Sequence, residues 1–118
     1  MNTTLLIQEV NQLHANICAA LADPSRILIL YLLSEGPLNV NALVEKLDLP
    51  QPTVSRHLKV LRERGLVLAE RDGQSVFYAL ADNRVIKALD LLRTVLGERL
   101  AKQATLAQTV THEFAGVN

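Results

Sequence analysis

With 118 residues, nearly half of them apolar, the chain is long enough to bury one core and too apolar to be a disordered tail. Aromatic residues are only 3% and Trp is absent, so the core must be built from Leu, Val, Ile and Ala, a composition suited to packed helices. The formal net charge is zero, which excludes a uniformly basic or acidic surface, and no apolar run reaches the ~18 residues of a membrane span.

Residues 4–21 place Leu6, Val10, Leu13, Ile17 and Leu21 at steps of three and four, the stripe of an amphipathic helix. Asp23-Pro24 restarts the chain, Asp23 as the N-cap and Pro24 at the first helical position. The second helix, 24–34, is apolar almost all round through Ile27, Leu28, Ile29, Leu30, Leu32 and Leu33, and is expected at the buried centre until Gly36-Pro37 ends it. Asn39 caps a short third helix, 40–47, with Val40, Leu43, Val44 and Leu47 inward. Asp48-Leu49-Pro50 is then a three-residue turn before a fourth helix, 51–64, which buries Val54, Leu58 and Leu61 and closes at Gly65. Residues 66–71 and 74–80 are β-prone and joined by Asp72-Gly73, the dipeptide of a tight hairpin turn. A last helix, about 83–108, repeats Val85, Leu89, Leu92, Leu96 and Leu100, a seam longer than so small a core needs.

These elements predict a mostly α fold with a small β-hairpin, in the order α-α-α-α-β-β-α, as one domain over residues 1–118. Helices 40–47 and 51–64 with their short turn form a helix-turn-helix, and the hairpin behind them is the wing. A helix that enters a major groove about 12 Å wide needs one buried face and one polar, partly basic face. Gln51, Thr53, Ser55, Arg56, His57 and Lys59 supply amide, hydroxyl and cationic groups toward its N-terminal half, where base edges are read, and Arg62 and Arg64 follow at positions suited to phosphates. Between residues 51 and 64, four cations face Glu63 alone, so the charge that a neutral chain lacks overall is concentrated here. Arg71, Gln74 and Ser75 lie at the hairpin tip, where they reach backbone or minor groove beside a half-site. The competing reading is a solvated helix in a winged-helix module that docks on protein and does not bind DNA.

At these residues the sequence resembles the arsenic-repressor (ArsR/SmtB) family. The resemblance rests on Ala19-Ala20-Leu21-Ala22-Asp23-Pro24-Ser25-Arg26, on the run from Gln51 to Val67, and on Arg71-Asp72-Gly73-Gln74-Ser75-Val76-Phe77-Tyr78-Ala79-Leu80. It spans residues 15–82, in order and at the right spacings. It implies a winged-helix homodimer joined through its first and last helices. It also implies transcriptional repression through double-stranded DNA carrying an inverted-repeat operator, and release when an inducer binds. The family's metal sites do not carry over. Where metal-sensing relatives place a Cys-x-Cys pair, this chain has Asn39 and Asn41, poor ligands for soft metals. Where zinc-type relatives place Asp-x-His and, farther along, His-x-x-His or His-x-x-Glu, it has Asp82 and Arg84, then Val95 and Glu98, so two imidazoles are missing.

No cofactor is expected, and the inducer, if there is one, is not named by the sequence. His14 and Cys18, four apart on the first helix, share a face and could in principle hold a metal, but a small apolar cysteine beside a hydrogen-bonded or exposed histidine is the preferred reading. Cys18 is the single cysteine, which excludes an intrachain disulfide. One thiol, together with an N-terminus lacking the basic start of a secretion signal, points to a reducing cytoplasm and away from a membrane. No phosphate-cradling Gly loop, Gly-x-Ser-x-Gly or His-Glu-x-x-His occurs, and an enzyme is not expected.

Overall fold

The computed structural model describes residues 2–115, with side chains through residue 108, and divides after Asn83 into two compact units. The first helix, α1, runs over Thr3–Leu21. Asn2 caps it, its side chain accepting from the amides of Thr4 (3.0 Å) and Leu5 (3.3 Å). It is α-helical over Thr3–Leu13, π-helical over His14–Cys18, and α-helical again over Ala19–Leu21. The π-helical turn was not legible in the apolar stripe. There the Ala19 N–H reaches back to His14 O, one residue farther than an α-helix allows. The Asn16 side-chain amide donates to Gln12 O (2.9 Å), a backbone acceptor one turn behind it.

Asp23 is extended and caps α2, Pro24–Leu33, by accepting from the amides of Ser25 (2.8 Å) and Arg26 (3.3 Å). Helix α2 buries Ile29, Leu30 and Leu33, but not its whole circumference as expected. Leu28 is 53% exposed. Strand β1, Leu38–Asn39, was missed by sequence reasoning. Asn39 closes it and at the same time caps α3, Val40–Leu47, through a bond from the Ala42 amide (2.9 Å). Asp48 ends α3 in the left-handed conformation (φ 52°), a geometry that Asp tolerates better than most side chains.

Helix α4, Gln51–Glu63, buries Val54, Leu58 and Leu61, each at most 1% exposed, at the spacing read from the sequence. Gly65 then takes φ +74°. The amide of Leu66 reaches Leu61 O (2.9 Å) and that of Gly65 reaches Arg62 O (3.0 Å), the paired bonds of a Schellman stop. The chain turns at once into β2, Val67–Asp72, paired antiparallel with β3, Ser75–Leu80, in a sheet ordered β1-β3-β2. Asp72 pairs with Ser75, so the two-residue turn is Gly73-Gln74, one position beyond the Asp72-Gly73 expected. Gly73 has φ +65° while Gln74 does not have positive φ, the pattern of a type II′ turn with Gly at its first position.

The second unit is α5, Arg84–Ala115, longer than the 83–108 expected. Leu91, Leu92, Val95, Leu96, Leu100 and Leu106 along it are all more than half exposed. No single described helix is long and apolar enough to cross a membrane.

Candidate nucleic-acid interface

The core of the first unit fixes which way α4 faces. Helices α3 and α4 pack on each other and on α2, with Leu43 of α3 and Val54, Leu58 and Leu61 of α4 fully buried. Because α-helical residues advance about 100° each, the side of α4 opposite that row carries Arg56 and Lys59, both exposed. Gln51, Ser55 and Arg62 lie along one flank, with Gln51 and Arg62 exposed and Ser55 half-buried. No Asp or Glu occurs between residues 51 and 62, and Glu63 enters only at the last turn. Arg56 Nη2 donates to Thr53 Oγ1 (3.3 Å) one turn back, which leaves the remaining guanidinium donors facing outward.

The other flank carries Thr53, His57 and Arg64, and two of these are engaged with the protein itself. His57 was expected to face DNA. Its side chain is instead 16% exposed and turned to the start of α2, with Nε2 4.0 Å from Asp23 Oδ1 and Nδ1 3.4 Å from Arg26 Nη1. Since a guanidinium only donates, Nδ1 is the acceptor in that pair. Arg64 was expected on phosphate. Its Nη1 donates to Asn16 Oδ1 (3.1 Å) on α1, although its side chain is exposed. Removal from water raises the pKa of the Asp23 carboxyl. The amides of Ser25 and Arg26, with electrostatic interaction with His57 and Arg26, outweigh this and hold it below its ordinary value.

At the wing, Arg71, Gln74 and Ser75 are exposed at and beside the Gly73-Gln74 turn. A shallow cleft lined by Asn39, Val40, Asn41, Gln74, Ser75 and Val76 lies between that tip and the beginning of α3. Sequence reasoning missed Arg26, Asp23 and Asn16 as supports of this surface. The signal that could have flagged them is a cation, Arg26, on an otherwise apolar helix. His14 and Cys18 both lie exposed in the π-helical turn, and among the described residues no three His, Cys, Asp or Glu side chains gather as metal ligands would.

Residues 23–68, from the cap of α2 to the first residues of β2, match the family model described as bacterial regulatory protein, arsR family. The HTH-type transcriptional regulator NmtR of Mycobacterium tuberculosis is 46% identical over 76 residues, which are 64% of this chain and 63% of that protein. The HTH-type regulator MJ1325 of Methanocaldococcus jannaschii is 40% identical over 79 residues, 66% of this chain and 89% of its own length. The chain thus spans a little under two-thirds of NmtR but most of the shorter relative. Among solved structures, the transcriptional repressor BigR from Xylella fastidiosa superposes with a TM-score of 0.69 at 30% identity, covering 80% of this chain and 96% of that one. The homodimeric winged helix-turn-helix DNA-binding domain Mb0332 from Mycobacterium bovis does so with 0.68 at 32%, covering 83% and 87%. In sequence over most of a relative's length, and in fold, the chain belongs to the arsR family of regulatory proteins.

Proposed function

We infer that this protein is a sequence-specific DNA-binding transcriptional regulator, acting as a repressor in the cytoplasm. The observation that carries the reading is the two-sidedness of α4: Val54, Leu58 and Leu61 are buried, while the opposite side presents Arg56 and Lys59 with no acid in the first three turns. Such a helix is held firmly by its core and offers a neutral-to-cationic face to a groove lined by phosphates. Gln51, Ser55 and Arg56 read base edges, Lys59 and Arg62 meet backbone, and Arg71, Gln74 and Ser75 of the wing add contacts beside the half-site. BigR is a repressor by description, which supports the repressor assignment.

The functional form is a two-fold homodimer joined through α1 and α5, with residues 1–118 acting as one winged helix-turn-helix domain. Two observations support this. Leu5, Leu6, Ile7, Val10 and Leu13 stay exposed on α1, as do Leu91, Leu92, Leu96, Leu100 and Leu106 of α5, and such stripes call for a partner. Mb0332 is homodimeric. A two-fold dimer presents two copies of α4 about 34 Å apart, so the operator is an inverted repeat. Release of DNA, where it is regulated, uses a non-metal inducer or a thiol-based response at Cys18, because Asn39, Asn41, Arg84 and Val95 stand where metal-sensing relatives have ligands.

The experiment is enrichment of duplexes from a randomised pool, with sedimentation of the free protein and of the complex. The expected outcome is an inverted repeat bound by a dimer. A pool that shows no enrichment, with protein partners captured in its place, would favour a protein-docking module.

A further inference from the structure

A recognition helix reads bases only if its roll about its own axis is fixed, because paired hydrogen bonds to a base edge tolerate misplacement of roughly 10–20° and no more. The apolar row Val54, Leu58, Leu61 does not fix the roll by itself, since hydrophobic contact is non-directional. Directional contacts are present on the inward flank of α4. At its middle, His57 Nδ1 meets Arg26 Nη1 (3.4 Å). At its C-terminal cap, Arg64 Nη1 donates to Asn16 Oδ1 (3.1 Å).

Both contacts lead to the same short segment of α1. Arg26 Nε donates to Ala20 O (2.6 Å) and Nη2 to Ala19 O (3.2 Å), carbonyls in the last turn of α1, of which Ala19 O also accepts from the Ala22 amide (3.3 Å). Asn16 lies inside the π-helical turn, and its amide is held by Gln12 O and Gln12 Oε1, each at 2.9 Å. Three nitrogens of one rigid, planar guanidinium thus reach two carbonyls of α1 and a ring nitrogen of α4, a span that a lysine ammonium cannot reproduce.

We propose that Arg26 and Asn16 are positioning residues that set the roll of the DNA-reading helix from the π-helical end of α1. The inference rests on the DNA-reading assignment of α4. Its consequence is specific: loosening the tie degrades discrimination between sequences and leaves attraction to phosphate in place, because phosphate contacts accept a broader range of geometry than base contacts. It also gives the π-helical turn a role, as the place where α1 and α4 are joined.

The test uses the full chain and the duplex that the wild type enriches from a randomised pool, with a scrambled duplex of the same length as the control. Affinities for both are measured by fluorescence anisotropy for wild type, Arg26→Met, Arg26→Lys and Asn16→Ala, with melting curves alongside. Arg26→Met and Asn16→Ala are each expected to lower the ratio of specific to scrambled affinity more than about ten-fold, as loss of one good base contact in each half-site would, while affinity for the scrambled duplex stays unchanged. Arg26→Lys is expected to stay impaired, because it keeps the charge and loses the fork. Full discrimination in Arg26→Lys would reduce Arg26 to a charge, and a parallel loss on both duplexes would make it a stability residue; either overturns the proposal. If Arg26→Met does not fold, Asn16→Ala, on an exposed contact, decides by the same ratio. A wild type that enriches no duplex defeats the DNA reading and this inference together, whereas enrichment with full discrimination in both Arg26→Met and Asn16→Ala defeats the inference alone.

Discussion

Replacing Arg56 by alanine separates reading from folding more sharply than any other single change on α4. Within the chain its guanidinium meets Thr53 Oγ1 at 3.3 Å, an exposed contact one turn apart. Exposed helix pairs of this spacing contribute about 0.2–0.5 kcal/mol, so the melting midpoint of Arg56→Ala should stay within about 3 °C of wild type. Its remaining donors face outward from the side opposite Val54, Leu58 and Leu61, where a groove floor would lie. A bidentate contact to a guanine edge carries about 1–3 kcal/mol of discrimination, and a two-fold dimer loses it twice, about 2–6 kcal/mol over both half-sites. At 1.4 kcal/mol per factor of ten, even the lower bound exceeds a ten-fold loss on the enriched inverted repeat. The assay is anisotropy on that duplex and on a scrambled one at about 0.15 M ionic strength, where surface attraction is already screened. Equal losses on the two duplexes would show that Arg56 touches only phosphate, and a large fall in melting temperature would show that its place on the outward face has been misread.

Leu58→Ala should do the reverse: a side chain 1% exposed leaves a cavity, costing about 2–5 kcal/mol in urea unfolding, with discrimination preserved in whatever fraction remains folded. Alanine at both Arg71 and Gln74 should weaken binding to the enriched duplex while leaving the unfolding midpoint unchanged, since both are exposed at the wing; unaltered affinity would remove the wing from the interface. For pH, Asp23 is held below its ordinary 3.8 in the folded chain, so folding favours its ionised form. That contribution is present above pH 3.8 and is lost as pH falls through the lower, folded value. Asp23→Asn, which keeps a cap acceptor and removes the titration, should therefore flatten the acid limb of stability below pH 3.8, and an unchanged limb would mean that Asp23 carries none of it.

The parts of this fold that were legible are those with short-range causes. The spacing of Val54, Leu58 and Leu61, the Asp23-Pro24 cap and the Asn39 cap depend on neighbours within a turn or two, and each is where the sequence places it. The parts that escaped depend on distant partners. Strand β1 is two residues long and exists because Leu38 and Asn39 pair with Tyr78 and Phe77. The hairpin turn sits one residue late because register follows the whole ladder from Val67–Leu80 to Asp72–Ser75, and Gly73 serves a type II′ turn as readily as Asp72-Gly73 serves a type I′ turn. Arg64 and His57 looked like further members of a basic face, and only their partners, 48 and 31 residues away in sequence, show that His57 turns to α2 and that Arg64, though exposed, meets α1. A list of polar residues on a helix thus overstates its reading face whenever one flank is used for support.

That division bears on how a chain of zero net charge suits DNA. A screening length of about 8 Å at physiological salt means that distant acids neither repel the duplex strongly nor cancel cations already in contact with it. What matters is the charge presented within a few ångströms of phosphate, and the exposed charges of α4 and its C-cap are Arg56, Lys59, Arg62 and Arg64 against Glu63, with Arg71 on the wing. Arg64 is partly committed to Asn16, so it contributes less to attraction than its place in the sequence suggests. A reader with few free cations gains little affinity from random DNA. It therefore depends on base contacts for tight binding, and those require the roll of α4 to be held. The flank on which His57 and Arg64 meet α2 and α1 is proposed to supply that hold. Weak general attraction and a firmly supported helix are thus two sides of one arrangement.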